Sequence, residues 1–325
     1  MAQLALKMAL SHYDRHIPFF DGTVRPEGID LTVLEVGESI PLKHGSDRHG
    51  RMLQHGEFDI CEVSLSSYLM AKSREMPFVA VPVFPRRLFS QSQMWINVNA
   101  GIRSPKDLVG RKVGLNSFQT TLSVLAKGDL QSEYGVPWRD IDWVVAREET
   151  IAFTPEKGVR IQLVPRGKKI GEMLDRGEID SIMMPHPPEP LLHGSKNITH
   201  MFTNARDEEL KYFRKNGFFP IMHILAFKQE VLKNNPWAAT SVMKAFEHAK
   251  DVCRHYYDDP NWSWLAWGKH FMEEQQQLLG EDPWPSGLKR NRANLERFIG
   301  YSLDQGLMAK KMSVEELFHE STVDS

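Results

Sequence analysis

The sequence predicts an α/β protein built from two similar lobes and finished by C-terminal helices. Three observations carry this. The first ninety residues alternate β, loop, β, α, β, the order of a largely parallel sheet. The run Gly56-Glu57-Phe58-Asp59-Ile60-Cys61-Glu62-Val63 is echoed by Gly177-Glu178-Ile179-Asp180-Ser181-Ile182-Met183-Met184. After Pro236 only helical spacing remains, and a helix-rich end packs on a lobe rather than building a third sheet.

Residues 4–10 read as the first strand, with the polar loop Ser11 to Arg15 at its carboxyl end. A turn at 25–28 leads into a strand over 28–36. Helical spacing at 48–55 precedes a strand over 59–63 that ends in the hydroxyl cluster Ser64, Ser66 and Ser67. The plain reading of these serines is a helix N-cap. A short helix follows, then a β run over 78–89 that contains Arg86 and Arg87. Hydroxyls and guanidinium groups at consecutive strand ends suit a small anion, because open α/β sheets bind ligands at that edge.

Residues 93–98 alternate as a strand, and the pattern then starts again. Ser104-Pro105-Lys106-Asp107 has the N-cap, first-position Pro and acidic first turn of a short helix. A strand over 111–116 runs through Asn116 and Ser117 into a helix over 119–134, a turn whose amides form a seat for an anion. Strands are expected at 141–146, 160–164 and 178–184, with an irregular stretch at 147–159, a helix at 169–177 and the loop Pro185-His186-Pro187-Pro188. A helix over 207–216 and a strand leading to 227 follow, then helices at 237–257, 262–279, 291–305 and 314–318.

The chain has 325 residues, 41% hydrophobic and 25% charged, with 40 basic against 42 acidic side chains. This near-neutral balance, without long runs of one sign, argues against nucleic acid or an anionic membrane surface as partner. No segment reaches the roughly 18 consecutive apolar residues of a membrane span. Cys61 and Cys253 sit far apart in apolar patterns, as buried thiols of a reducing compartment do. The N-terminus lacks the pattern of a secretory signal, so a cytoplasmic location is expected. Tryptophans 237, 262, 264, 267 and 284 in the C-terminal region read as packing or subunit-contact residues and hint at a homo-oligomer.

Two lobes joined by crossings near 98 and 217 resemble the type II periplasmic-binding-protein fold, with 1–98 and 217–325 as one lobe, 99–216 as the other, and a ligand cleft between them. The resemblance goes further in Tyr13-Asp14-Arg15, Phe58-Asp59, Ser64-Leu65-Ser66-Ser67-Tyr68, the stretch from Pro77 to Arg86, Pro220-Ile221-Met222-His223, Pro236-Trp237, Trp284-Pro285 and Asn291-Arg292. These stretches are similar to the 4,5-dihydroxyphthalate decarboxylase family and span nearly the whole chain. The resemblance implies non-oxidative loss of one carboxylate from a dihydroxylated aromatic dicarboxylate, forming protocatechuate. Pro185-His186-Pro187-Pro188 departs from the polar loop expected there, which bears on the substrate. A solute-binding protein that captures an aromatic acid unchanged, or another small-molecule enzyme on this fold, is the alternative.

Loss of carbon dioxide from an aromatic ring requires a proton at the ipso carbon, a clamp for the retained carboxylate and a polarised ring hydroxyl. His223, at the entry to a strand after the second crossing, is the expected acid. Arg86 is the expected clamp, since a guanidinium binds a carboxylate through two bonds. Arg87 should face the other way in an extended chain, so one of the two enters the site; Arg15 is a second candidate. Glu62 reads as an exposed strand-end carboxylate, as the group that orients His223, or as the acceptor of a ring hydroxyl proton. Tyr13, Ser64, Ser66, Ser67, Asn116, Ser117, Thr120 and His186 are expected around the substrate. No His-x-His, His-Glu-x-x-His or Cys-x-x-Cys spacing occurs, so no metal is expected, and no Gly-rich fingerprint calls for a dinucleotide cofactor.

Overall fold

The computed structural model describes residues 3–37, 47–308 and 310–325. The chain begins with β1 (Leu4–Leu10), α1 (Ile17–Phe20), β2 (Ile29–Glu35), α2 (Arg48–Leu53), β3 (Ile60–Ser64), α3 (Leu65–Ser73) and β4 (Phe78–Val81). It continues through β5 (Met94–Asn97), β6 (Lys112–Leu115), α4 (Thr121–Tyr134), β7 (Asp142–Val145), β8 (Arg160–Leu163), α5 (Ile170–Asp175), β9 (Ser181–Met183), α6 (Glu189–Leu192), β10 (Ile198–His200) and α7 (Ala205–Asn216). It ends with β11 (His223–Lys228), α8 (Gln229–Asn234), α9 (Trp237–Tyr256), α10 (Gly268–Leu279) and α11 (Arg292–Asp304). Among the described residues no helix is long and apolar enough to cross a membrane.

The chain divides into two compact units, one of Met1–Arg87, Ile221–Glu296 and Met312–Ser325, the other of Leu88–Pro220 and Arg297–Lys311. The first holds a sheet in the order β2-β1-β3-β11-β4, with β1 parallel to β2 and β3, and β11 antiparallel to both its neighbours. Helix α9 covers it with Ala238, Ala239, Val242, Ala245, Phe246 and Ala249, the helical spacing of one apolar face, packed with Leu6, Met8, Leu31, Val81 and Phe227. β4 is shorter than the β run expected over 78–89. Pro82 and Pro85 have no N–H to give a ladder, so regular pairing stops at Val81 and continues as the Leu225 amide to the Val83 carbonyl and a bridge from Arg87 to Ile221.

The second unit holds a sheet in the order β10-β5-β9-β6-β7-β8. Read as β7-β6-β9-β5-β10, it repeats the order β2-β1-β3-β11-β4, so the echo between 56–63 and 177–184 reflects equivalent strands, β3 and β9. In both sheets that strand is flanked by an antiparallel strand, β11 or β5. This corrects the strand expected over 93–98 in the first lobe: β5 pairs with β9 and β10 and belongs to the second unit. The register lies in contacts with residues about ninety positions away, which adjacency in the chain does not reveal. The C-terminal part of α11 also groups with this unit, where Tyr301 donates to Asp129 at 3.2 Å and Asp304 accepts from the Trp138 indole at 2.7 Å. β10, three residues long, has no counterpart among the expected strands, and α10 starts at Gly268 rather than at 262.

Helix α4 buries two ionisable groups. Lys127 donates to the Phe118 carbonyl at 2.9 Å and lies against the Phe118 ring, and burial pushes its pKa well below the usual amine range. Asp129 accepts from Ser90 at 2.6 Å, and burial raises its pKa to about 7. Its folded pKa exceeds the unfolded one, so its contribution to stability is complete below about pH 4 and is lost as pH rises toward 7. Across that window it makes stability fall by up to about 1.4 kcal/mol per pH unit. Asp129→Asn should flatten this component in urea titrations from pH 4.5 to 8; an unchanged pH slope would show that Asp129 ionises normally.

Candidate active site

Strand alternation turns Glu62 and Ser64 to one face of the first sheet and Cys61 and Val63 to the other. In the antiparallel register of β3 and β11, Ser64 lies opposite His223 and Glu62 opposite Leu225. Glu62 and His223 are therefore diagonal neighbours on one face, a separation that long side chains bridge. Glu62 Oε1 and His223 Nδ1 lie 2.5 Å apart, with Glu62 0% and His223 7% exposed.

The surroundings of Glu62 consist of donors. The Ser11 amide, at the carboxyl end of β1, donates to Oε2 at 2.9 Å, and the Tyr13 hydroxyl to Oε1 at 3.4 Å. Arg48, from α2, approaches Oε1 through Nη2 at 3.3 Å and donates through Nε to the Glu62 carbonyl at 2.8 Å. Burial opposes the charge on Glu62, yet Arg48 and the His223 bond overcome it and hold the carboxyl well below its usual range. With Glu62 ionised, His223 donates its Nδ1 proton and keeps Nε2 as a lone pair. Burial lowers the His223 pKa to about 4 against the raising effect of Glu62, with Arg86 and Arg48 adding to the decrease. The ring is thus a neutral base at pH 7, and acts as an acid only after it has taken a proton.

Neighbouring histidines complete the environment. His16 donates from Nδ1 to the Ser11 carbonyl at 2.8 Å and is buried, which lowers its pKa to about 4. His49 accepts from the Ser64 amide through Nδ1 at 3.1 Å, and its ring stands nearly perpendicular to that of His223 with centroids 5.0 Å apart.

The three arginines expected near the site differ. The Arg86 carbonyl accepts from the amides of Met222 and His223 at 2.8 and 3.1 Å, which fixes the residue beside the histidine. Its side chain is half-buried, and among the described residues no ion pair reaches its guanidinium. Arg87 is 3% exposed and is committed to structure, donating to the Pro285 carbonyl at 2.8 Å and to Asn291 Oδ1 at 2.5 Å. Arg15 donates to the Pro85 carbonyl through Nε at 3.1 Å and lies between the rings of Tyr13 and Trp284, at 4.4 and 3.9 Å. In both Arg15 and Arg87 a main-chain carbonyl from another segment accepts from the guanidinium.

Ser64 caps α3, its hydroxyl accepting from the Ser67 amide at 3.4 Å, and Ser66 and Ser67 are buried in that helix. Tyr13 acts on Glu62 rather than standing apart from it. Asn116, Ser117, Thr120 and His186 lie in the second unit. There the turn before α4 does seat an anion, and the anion is the chain's own: Glu149 accepts from the amides of Phe118 and Gln119 at 2.6 and 3.1 Å. Thr120 bonds the Ser123 hydroxyl at 2.6 Å. Among the described residues no group of three or more His, Cys, Asp or Glu side chains is placed to hold a metal ion.

Arg48, Ser11, His16 and His49 escaped the sequence reading. For Arg48 a signal existed: it stands four residues before Met52, so one face of α2 carries both into the core. The other three act through main-chain geometry that no side-chain pattern announces.

A solved structure with which the chain shares its fold is the periplasmic aliphatic sulphonate binding protein SsuA from Escherichia coli, at 13% identity and a TM-score of 0.59, covering 99% of each chain. The fold is that of the periplasmic-binding-protein-like α/β class, here carrying a buried carboxylate–imidazole pair at a strand end. Two curated relatives narrow this. The chain is 31% identical over 336 residues to a 4,5-dihydroxyphthalate decarboxylase of Comamonas testosteroni, covering 100% of this chain and 99% of the relative. It is 29% identical over 222 residues to one of Pseudomonas putida, covering 66% of this chain and 83% of the relative. The chain belongs to the 4,5-dihydroxyphthalate decarboxylase family. No family model matches it.

Proposed function

We propose that the protein is a carboxy-lyase that converts 4,5-dihydroxyphthalate to protocatechuate and carbon dioxide without an oxidant. The observation that carries the chemistry is the Glu62–His223 pair beside the half-buried guanidinium of Arg86. His223 takes the proton of a ring hydroxyl through Nε2, and Glu62 balances the imidazolium that forms. Electron density moves onto the ring, and the ipso carbon takes a proton as the carbon–carboxylate bond breaks and its electron pair returns to the ring. The proton held by His223 passes to that carbon, and the ring oxygen left as phenolate takes a proton from water, so each turnover takes up one proton for each carbon dioxide released. Arg86 holds the carboxylate that stays, as a planar fork matched to two oxygens.

Incubation of the purified protein with 4,5-dihydroxyphthalate should release equal amounts of protocatechuate and carbon dioxide. Tight binding without product would overturn this reading in favour of a solute-binding protein, which the two decarboxylase relatives do not favour. Arg86→Lys should weaken binding of a phthalate ligand by roughly 1.5–3 kcal/mol, since a charged two-point contact becomes a point charge. Calorimetry reads this directly, and equal affinity would remove Arg86 from the clamp. We place the protein in the cytoplasm, where the free, buried Cys61 and Cys253 stay reduced. The exposed Trp264, Leu265, Trp267 and Phe271 support self-association, which sedimentation velocity measures.

A further inference from the structure

The guanidinium of Arg48 is 3% exposed and spends its donors on the site's framework. Nε donates to the Glu62 carbonyl at 2.8 Å, Nη1 to the Ser11 hydroxyl at 2.6 Å and to the Val36 carbonyl, and Nη2 faces Glu62 Oε1 at 3.3 Å. None of these partners is placed as a substrate contact. Ser11 in turn gives its amide to Glu62 Oε2 and its carbonyl to His16. One cation therefore ties the ends of β1 and β3 to the carboxylate, and His223 Nδ1 reaches the same oxygen, Oε1, that Arg48 Nη2 faces.

We propose that Arg48 is a positioning residue that keeps Glu62 ionised and the single proton of His223 on Nδ1, leaving Nε2 as a lone pair for the substrate. The role assigned to Nε2 rests on the reaction proposed above; the protonation state does not. Two groups that can only donate, the Ser11 amide and the Arg48 guanidinium, face the two oxygens of Glu62 and favour its ionised form, and His223 Nδ1 beside Oε1 then carries the proton between them. The Arg48–Glu62 pair is neutral as a unit, and a neutral His223 completes it without a net buried charge. Without Arg48 the buried anion stands alone, and the nearest group able to neutralise it is His223, by binding a second proton. Nε2 would then be occupied. The other groups acting on the ring or on Glu62 include Arg86 from the segment after β4, His49 from α2, and Tyr13, Arg15 and His16 from the loop after β1. Arg86 opposes that second proton in every variant.

The test is nitrogen-15 NMR of the His223 ring in ligand-free protein, wild type against Arg48→Met and Arg48→Lys, with His223→Gln as the assignment control. The wild type should show the neutral Nδ1–H tautomer at pH 7. Arg48→Met should bind the second proton at least tenfold more tightly, and Arg48→Lys, which keeps a cation without the fork, about threefold. The acid limb of kcat/KM should move to higher pH by the same factor, with kcat falling more than KM rises. A His223 titration unchanged in whichever variant folds overturns the proposal and leaves Arg48 a purely structural residue. A shifted titration in a protein that releases no carbon dioxide would instead remove the proposed reaction and leave the role of Arg48 standing.

Discussion

Glu62→Gln should lower kcat by roughly 10²–10⁴-fold, the range of a lost acid–base group. The glutamine amide keeps the volume but replaces one of the two accepting oxygens by an NH2 donor, which then faces either the Ser11 amide or the Arg48 guanidinium. The His223 ring loses the acceptor that fixes its tautomer, and the imidazolium loses its counter-charge. The same change strands the Arg48 charge in the interior, which should destabilise the fold by about 3–5 kcal/mol. Urea unfolding and steady-state rates measured on one preparation separate the two effects. Normal turnover with a destabilised fold would reduce Glu62 to a structural anchor.

His223→Ala should remove turnover to a similar or greater extent, while a phthalate ligand still raises the melting temperature through Arg86. The wild-type pH profile belongs with this variant. The folded His223 pKa, about 4, lies below its ordinary 6.5, so the ring is neutral over that window in the folded protein and charged in the unfolded chain. Its contribution to stability is present above pH 6.5 and is lost as pH falls toward 4. Glu62, whose pKa is also depressed, adds to the same acid-side loss. Neutral His223 is the competent form, so kcat/KM of the free enzyme should hold as pH falls below 6 and decline only toward 4. A decline centred near 6.5 would mean that the ring is solvated, and turnover by His223→Ala would take it out of the reaction.

Much of the site could be read from local pattern. Alternation within 59–64 separates Glu62 and Ser64 from Cys61 and Val63, and alternation at 86 and 87 says that the two arginines diverge. Which arginine turns inward could not be read, because the Pro285 carbonyl and Asn291 that capture Arg87 lie about two hundred residues away in sequence. The carboxylate of Glu62 was open to an ordinary exposed reading for the same reason: burial is a property of what packs over a residue. Arg48 is the sharpest case. Its charge suggests solvent, and the Glu62 carboxylate, the main-chain oxygens of Val36 and Glu62 and the Ser11 hydroxyl together explain how it is kept inside.

By itself the sequence determined the α/β class, the duplicated strand–helix grammar and the positions of β1, β3 and β6, because two-residue and 3.6-residue periods are local consequences of backbone geometry. The tertiary structure alone decided that β5 belongs to the second sheet, that β11 runs antiparallel beside β3, and that His223 therefore meets Glu62. Those outcomes depend on hydrogen-bond register between distant segments and on which charges lose water together, and neither is encoded in any short stretch of chain.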